Sequence, residues 1–290
     1  MKRIAFLVSV IAIAAGALYY GERTKAESPV TPAPIMRVLS SAQREATRVP
    51  MGMTRLTDDQ EIEAGNRMAA AYETRRSVHL DSEDAAMERY VQEVGRNLAA
   101  NAHRRLPYQF HYVPEMGFVN AFALPGGHIF IGKGLIAMMT SEDQLAGVLG
   151  HEIEHIDHYH CAERLQVEAQ ARKIPLGELA MLPIELFQMG YTKEQELEAD
   201  REGIRLASRV GYSAVADAEL FATMDKRYRE RQIGARTPQG EMSQVAFATL
   251  TEYFRSHPPA AERIAQIEHV AADERLPVRQ ERELRVSVAQ

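Results

Sequence analysis

HEIEH, His151 to His155, lies within a helical pattern that runs from about Ser141 to Lys173, and its reading decides what the rest of the chain must supply. Residues four apart on a helix share a face, so His151 and His155 stand one turn apart with Glu152 beside them. Two imidazoles with a carboxylate at that spacing are the beginning of a metal site with its own base. Ser141 and Gln144 open the helix with a capping-box pattern, and Leu145, Val148, Leu149 and Ile156 provide its apolar positions.

A catalytic zinc takes three protein ligands and keeps a fourth position open. The single cysteine, Cys161, excludes an internal disulfide and a cysteine cage, so a metal here must be held by histidine and carboxylate. Candidates for the third ligand are His158 and His160 just downstream, His128 upstream, and the carboxylates Glu194, Glu196, Glu198 and Asp200 of a later helix. His158 stands about two turns, roughly 10 Å, along the axis from His151, too far to close the same shell. His160 reads as a capping or packing residue. A carboxylate from a second helix fits better, because two crossing helices can bring side chains to one ion.

Working outward from HEIEH, Thr192 and Gln195 cap that second helix, which stops near Gly211. The segment between, Ile174 to Tyr191, is apolar but broken by Pro175, Gly177 and Pro183, and it reads as cover for the site. Upstream, Gln109–Val113, Phe118–Leu124 and His128–Ile131 are short aromatic or β-branched runs, the last two joined by Pro125-Gly126-Gly127. They predict a small sheet with the Phe118–Leu124 or His128–Ile131 run as an edge on which an extended peptide can pair. Helices are expected from Thr57 to about Tyr72 and from Ser82 to about Ala102, the second burying Met87, Tyr90, Val91, Val94 and Leu98. Downstream come a helix from Ser213 to about Arg231, a polar stretch Gln232–Ser243, His257-Pro258-Pro259, and an amphipathic helix through about Ala272. The fold class is therefore mainly α with a small antiparallel β-sheet (α+β).

Lys2 and Arg3 precede an uncharged run from Ile4 to Tyr20, followed by a polar return from Gly21 to Ser28. Residues 1–28 thus read as a secretory signal or an N-terminal membrane anchor, and the chain is expected to be exported. Residues 29–56 read as a linker, 57–273 as the catalytic domain, and 274–290 as a charged, loosely held tail. With 290 residues, a net charge of -6 and no sustained basic cluster, the chain supports one sizeable core and excludes nucleic acid as a partner.

HEIEH, NAFALPGGHIFI (Asn120 to Ile131), EQELEAD (Glu194 to Asp200) and HPP (His257 to Pro259) together resemble the zinc metallopeptidase family that includes the CAAX prenyl proteases, HtpX and the periplasmic BepA-like enzymes. The resemblance covers about Thr57 to Ala272. It implies an HExxH zincin-type domain with one zinc per chain, held by His151, His155 and, from the Glu-x-x-x-Asp motif, Glu196. Asp200 would stand behind these ligands, and Arg263 behind His257. It further implies endopeptidase action on polypeptide substrates outside the cytoplasm, in protein quality control, with Glu152 taking the proton of the attacking water and returning it to the leaving amine. His257 is then a candidate either to stabilise the oxyanion or to fill the fourth zinc position. Asn120, Phe122, Gly126 and Gly127 are candidate substrate contacts. Two positions depart from the family pattern: Glu154, where a small residue is usual, and Tyr159, where a basic residue commonly precedes the histidine matched by His160. The alternative from a different class is a zinc-stabilised, chaperone-like binding protein with dormant peptidase activity.

Overall fold

The computed structural model describes residues 56–76, 80–175, 178–179, 182–234, 250–251, 253 and 257–286. The expected signal or anchor, the linker apart from Leu56, most of the Gln232–Ser243 stretch and residues 287–290 lie outside them. Among the described residues no helix is long and apolar enough to cross a membrane.

Helix α1 (Asp58–Arg76) begins at the expected box, where Gln60 N donates to Thr57 Oγ1 at 3.3 Å and Thr57 N to Gln60 Oε1 at 3.0 Å. Helix α2 (Ser82–Ala99) is capped by the Asp81 carboxylate, and all five of its expected inward residues are buried. Three strands follow: β1 (Gln109–Val113), β2 (Ala121–Leu124) and β3 (His128–Gly132). β2 and β3 form the expected antiparallel pair. β1, however, joins the other flank of β3 in parallel, with Gln109 opposite His128 and Val113 opposite Gly132, giving the order β1-β3-β2. The sheet is thus mixed where antiparallel pairing was expected. After β1 the chain turns back, with Phe118 N donating to Glu115 O, and the tight turn after β2 then gives β3 the direction of β1. Because β3 is central it has no free edge; the edge beside the site belongs to β2.

HEIEH lies on α3 (Glu142–Asp157), followed by α4 (His160–Arg172). The single helix expected to reach Lys173 is interrupted at Tyr159, which is left-handed at φ 63°. Arg104 holds the break: its Nη1 donates at 2.9 Å to the Ile156 carbonyl, which also accepts from Tyr159 N at 3.0 Å, and its guanidinium covers the Tyr159 ring at 3.9 Å. Helix α5 (Lys193–Arg209) starts with the full Thr192/Gln195 capping box, and α6 (Ala216–Gly234) and α7 (Ala260–Asp273) complete the helical layer.

As far as residue 286, the tail is docked rather than loose. Arg282 N donates to Asp143 Oδ2 at 2.8 Å, Glu142 N donates to Arg282 O at 2.9 Å, and Arg285 Nε reaches Glu142 Oε2 at 2.9 Å. These contacts occupy the first turn of α3, where acidic side chains and free N–H groups gather.

Candidate active site

α3 and α5 cross through glycine. A Cβ on Gly203 would stand 2.9 Å from His151 N and 3.0 Å from His151 Cα, so only hydrogen at that position lets the two backbones approach so closely. The crossing brings the first turn of α5 against HEIEH. One ligand atom each from His151, His155 and Glu196 lies within 4.8 Å of the others, and all three residues are buried. His151 Nε2 and His155 Nε2 face each other at 3.0 Å, with Glu196 oxygens 3.5 Å and 3.8 Å from them. Neither Glu194 nor Glu198 joins this cluster: Glu198 instead bonds His160, its Oε2 lying 3.2 Å from the ring's Nε2.

Each ligand candidate is held from behind. Asp200 Oδ1 lies 2.9 Å from His151 Nδ1, and Arg263 on α7 grips the same carboxylate, its Nε 2.8 Å from Oδ2. His155 Nδ1 meets His160 Nδ1 at 2.9 Å, and the Tyr191 ring stacks on His155 at 4.1 Å. Tyr191 N donates to Glu196 Oε1 at 2.7 Å. The break at Tyr159 is what turns His160 back toward His155, a relation that an uninterrupted helix does not predict.

Burial would lower the His151 imidazole, but the facing carboxylates of Asp200 and Glu196 overcome it and push it up to about 10. His155 is held well below its ordinary value by burial and by charge on His151. Burial raises Glu196, yet His257, His151 and His155 together hold it well below the carboxylate range. The cluster therefore pairs an ionised carboxylate with imidazoles. Glu196 Oε2 has no hydrogen-bond partner among the described residues, although it is fully buried. Such an oxygen is costly unless a cation satisfies it. Two imidazole nitrogens and a carboxylate oxygen turned toward one point are a donor set that zinc accepts, and the residues present fit that ion.

Glu152 is buried beside this cluster. Burial raises its carboxyl to about 7, opposed by His151, and the backbone of Ala123 on β2 hydrogen-bonds to it. Ala123 O in turn receives Cys161 Sγ at 3.7 Å, so this edge of β2 is turned to α3 and α4, and Cys161 is a packed thiol. His257 Nε2 lies 3.8 Å from Glu196 Oε2, while its Nδ1 bonds Tyr253 O at 2.9 Å and its ring stacks on that of Tyr253.

The expected substrate contacts separate. Asn120 lies at the start of β2, where its Oδ1 accepts from Ala121 N at 3.0 Å and its Nδ2 donates to Gln188 O at 3.3 Å. Phe122 is instead a core residue, stacked on Phe130 at 4.9 Å. Gly126 and Gly127 are buried in a turn with φ of 81° and 118°, and Gly126 is pressed on the backbone of α1 at Glu61 and Ile62. Their role is to make the turn. Tyr191, Tyr253 and Asp217 surround the site without having been singled out, since each arrives from a segment with no ligand motif of its own; His160, read as a capping or packing residue, stands against His155.

The profile of Peptidase family M48 matches residues 85–271. Over 197 residues the chain is 29% identical to the putative beta-barrel assembly-enhancing protease of Vibrio cholerae, covering 60% of this chain and 40% of that protein. Over 191 residues it is 29% identical to the mitochondrial metalloendopeptidase OMA1 of Schizosaccharomyces pombe, covering 62% of this chain and 51% of that protein. The beta-barrel assembly-enhancing protease of Escherichia coli is 27% identical over 180 residues, covering 54% of this chain and 36% of that protein. The chain thus spans between about a third and a half of the length of these relatives.

Proposed function

The chain belongs to peptidase family M48, and on that premise we propose that it is a zinc-dependent endopeptidase that hydrolyses polypeptides outside the cytoplasm. The observation that carries this reading is the convergence of His151, His155 and Glu196 within 4.8 Å, with Glu152 buried alongside. Zinc, when bound by those three residues, supplies a Lewis acid that polarises a peptide carbonyl and makes water acidic enough to attack near neutral pH.

The chain's own groups do the rest. Glu152 takes the proton of the attacking water and carries it to the leaving amine, a task suited to a carboxyl already raised toward neutrality. Asp200 fixes the ring of His151 and is itself fixed by Arg263. Of the two strands considered for pairing with a substrate, only β2 is an edge strand, and its Ala121 lies beside His151 and Glu152. His257, turned by Tyr253 so that Nε2 faces the cluster, acts on the charge of the tetrahedral intermediate.

Replacing Glu152 with Gln is expected to leave zinc bound and to slow cleavage of an unfolded polypeptide by about 10²–10⁴-fold. Undiminished cleavage would overturn the assignment. His257→Ala separates two roles: reduced turnover supports stabilisation of the intermediate, whereas increased turnover identifies His257 as a latch that keeps the enzyme dormant. Export rests on residues 1–28 and on the resemblance to envelope proteases; recovery of the full-length protein in the cytoplasmic fraction of its host would contradict it.

A further inference from the structure

Glu198 stands outside the ligand cluster, yet one imidazole connects it to that cluster. His155 Nδ1 lies 2.9 Å from His160 Nδ1, and the other ring nitrogen of His160, Nε2, lies 3.2 Å from Glu198 Oε2. His160 is 2% exposed, and it reaches this place because the chain turns through the left-handed Tyr159. The carboxylate is steadied at its other oxygen, where Oε1 faces His158 Nδ1 at 3.8 Å and Arg201 Nη2 at 3.9 Å. Residues two apart on a helix point roughly 200° from each other, so Glu198 cannot share the ion with Glu196. The His160 ring spans the gap.

Hydrogen-bond chemistry leaves this row of atoms one arrangement. A neutral imidazole carries a proton on one nitrogen and a lone pair on the other. His155 turns Nε2 toward His151 and Glu196, so ligation by the cluster uses the Nε2 lone pair and leaves the proton on Nδ1. His160 Nδ1 must then accept, which places the His160 proton on Nε2, where the Glu198 carboxylate receives it. Two protonated Nδ1 atoms facing each other would leave both buried donors unsatisfied. His151 has the same requirement and meets it directly, through Asp200 Oδ1 at 2.9 Å. The two histidines are thus backed by carboxylates in different ways, one at first hand and the other across an intervening ring.

We propose that Glu198 is a positioning residue for the metal site: through His160 it fixes the tautomer and the ring orientation of His155. A carboxylate that backs a ligand histidine orients its ring and raises its basicity, and the loss of such support lowers metal affinity by about 10–100-fold. This rests on the zinc reading of the neighbouring cluster.

The direct test is to locate the ring protons by NMR in zinc-loaded wild type carrying isotope-labelled histidine, with the zinc content of the same sample determined. His155 is expected to be protonated at Nδ1 and His160 at Nε2. His160 protonated at Nδ1 in zinc-loaded protein would overturn the proposal and leave the zinc reading intact, whereas protein that takes up no zinc would overturn both. Zinc affinity, measured by competition with a chelator, supplies a second comparison. Glu198→Arg offers only donors to His160 Nε2, which drives its proton to Nδ1 and against His155, and the affinity is expected to fall about tenfold or more. Glu198→Gln keeps an amide oxygen that accepts from Nε2–H and is expected to retain most of the affinity. Glu194→Arg makes the same change of charge at an exposed position of α5 and is expected to leave the affinity unaltered. Equal losses in Glu194→Arg and Glu198→Arg, or full affinity in Glu198→Arg, would overturn the proposal. The NMR measurement uses the unaltered protein and does not depend on any variant folding.

Discussion

Asp217 and Glu152 are both carboxyls raised by burial, and they differ in what their surroundings offer once they ionise. Glu152 has His151 and the Ala123 backbone to stabilise its charge. Asp217 faces Asp200 as a like charge, with only partial relief from His151 and Arg263. Its folded pKa of about 7 lies above its ordinary 3.8, so the folded state favours the neutral acid. That contribution to stability is fully present below the unfolded value and is lost as pH rises through about 7. Urea unfolding of wild type and Asp217→Asn is therefore expected to show the variant gaining relative stability across this window; a difference independent of pH would contradict the burial of an unpaired acid. The sequence carries no sign of this residue. HEIEH could be read because its partners sit on one helix face, whereas Asp217 acquires its setting only from the packing of α6 on Gly147. Phe122 shows the converse: it stands in a motif that borders the site, yet alternation along β2 sends its ring to the core.

At the scale of elements, the ligand set depends on how closely α3 and α5 cross. Gly203→Ala would place a methyl carbon within about 3 Å of the His151 backbone. We expect it to cost about 1–3 kcal/mol, as overpacking in a tight core does. Because the methyl separates the two helices, zinc affinity should fall with stability, and both are read by thermal unfolding with and without added zinc; unchanged zinc affinity would mean that the crossing does not set the site. The helix ends were legible in advance where a side chain caps its own turn, as at Thr57 and Thr192. The break at Tyr159 was not, because it is set by Arg104, more than fifty residues earlier, and by the Asp157 carboxylate receiving His103 N and Arg104 N. The same limit applies to the sheet: short aromatic and β-branched runs marked the strands and the Gly-Gly turn marked one hairpin, but nothing local specifies that β1 pairs on the far side of β3.

Over the whole molecule, the site is assembled from HEIEH on α3, Glu196 and Asp200 on α5, and Arg263 on α7, each from a different part of the chain. Arg263 is the largest fully buried side chain among the described residues and joins two of these helices through Asp200 and His151. The docked tail adds a further tie, since Arg282 reaches both the start of α3 and Gly211 O after α5. Sequence spacing alone left several carboxylates open as the third ligand; the three-dimensional crossing brings only Glu196 to both histidines. The most direct measurement is the zinc content of protein purified without added metal, compared among wild type, Glu196→Ala, Glu194→Ala and Glu198→Ala. One zinc per chain is expected in wild type and in the Glu194 and Glu198 variants, with loss in Glu196→Ala; full zinc in Glu196→Ala, or none in wild type, would contradict the account.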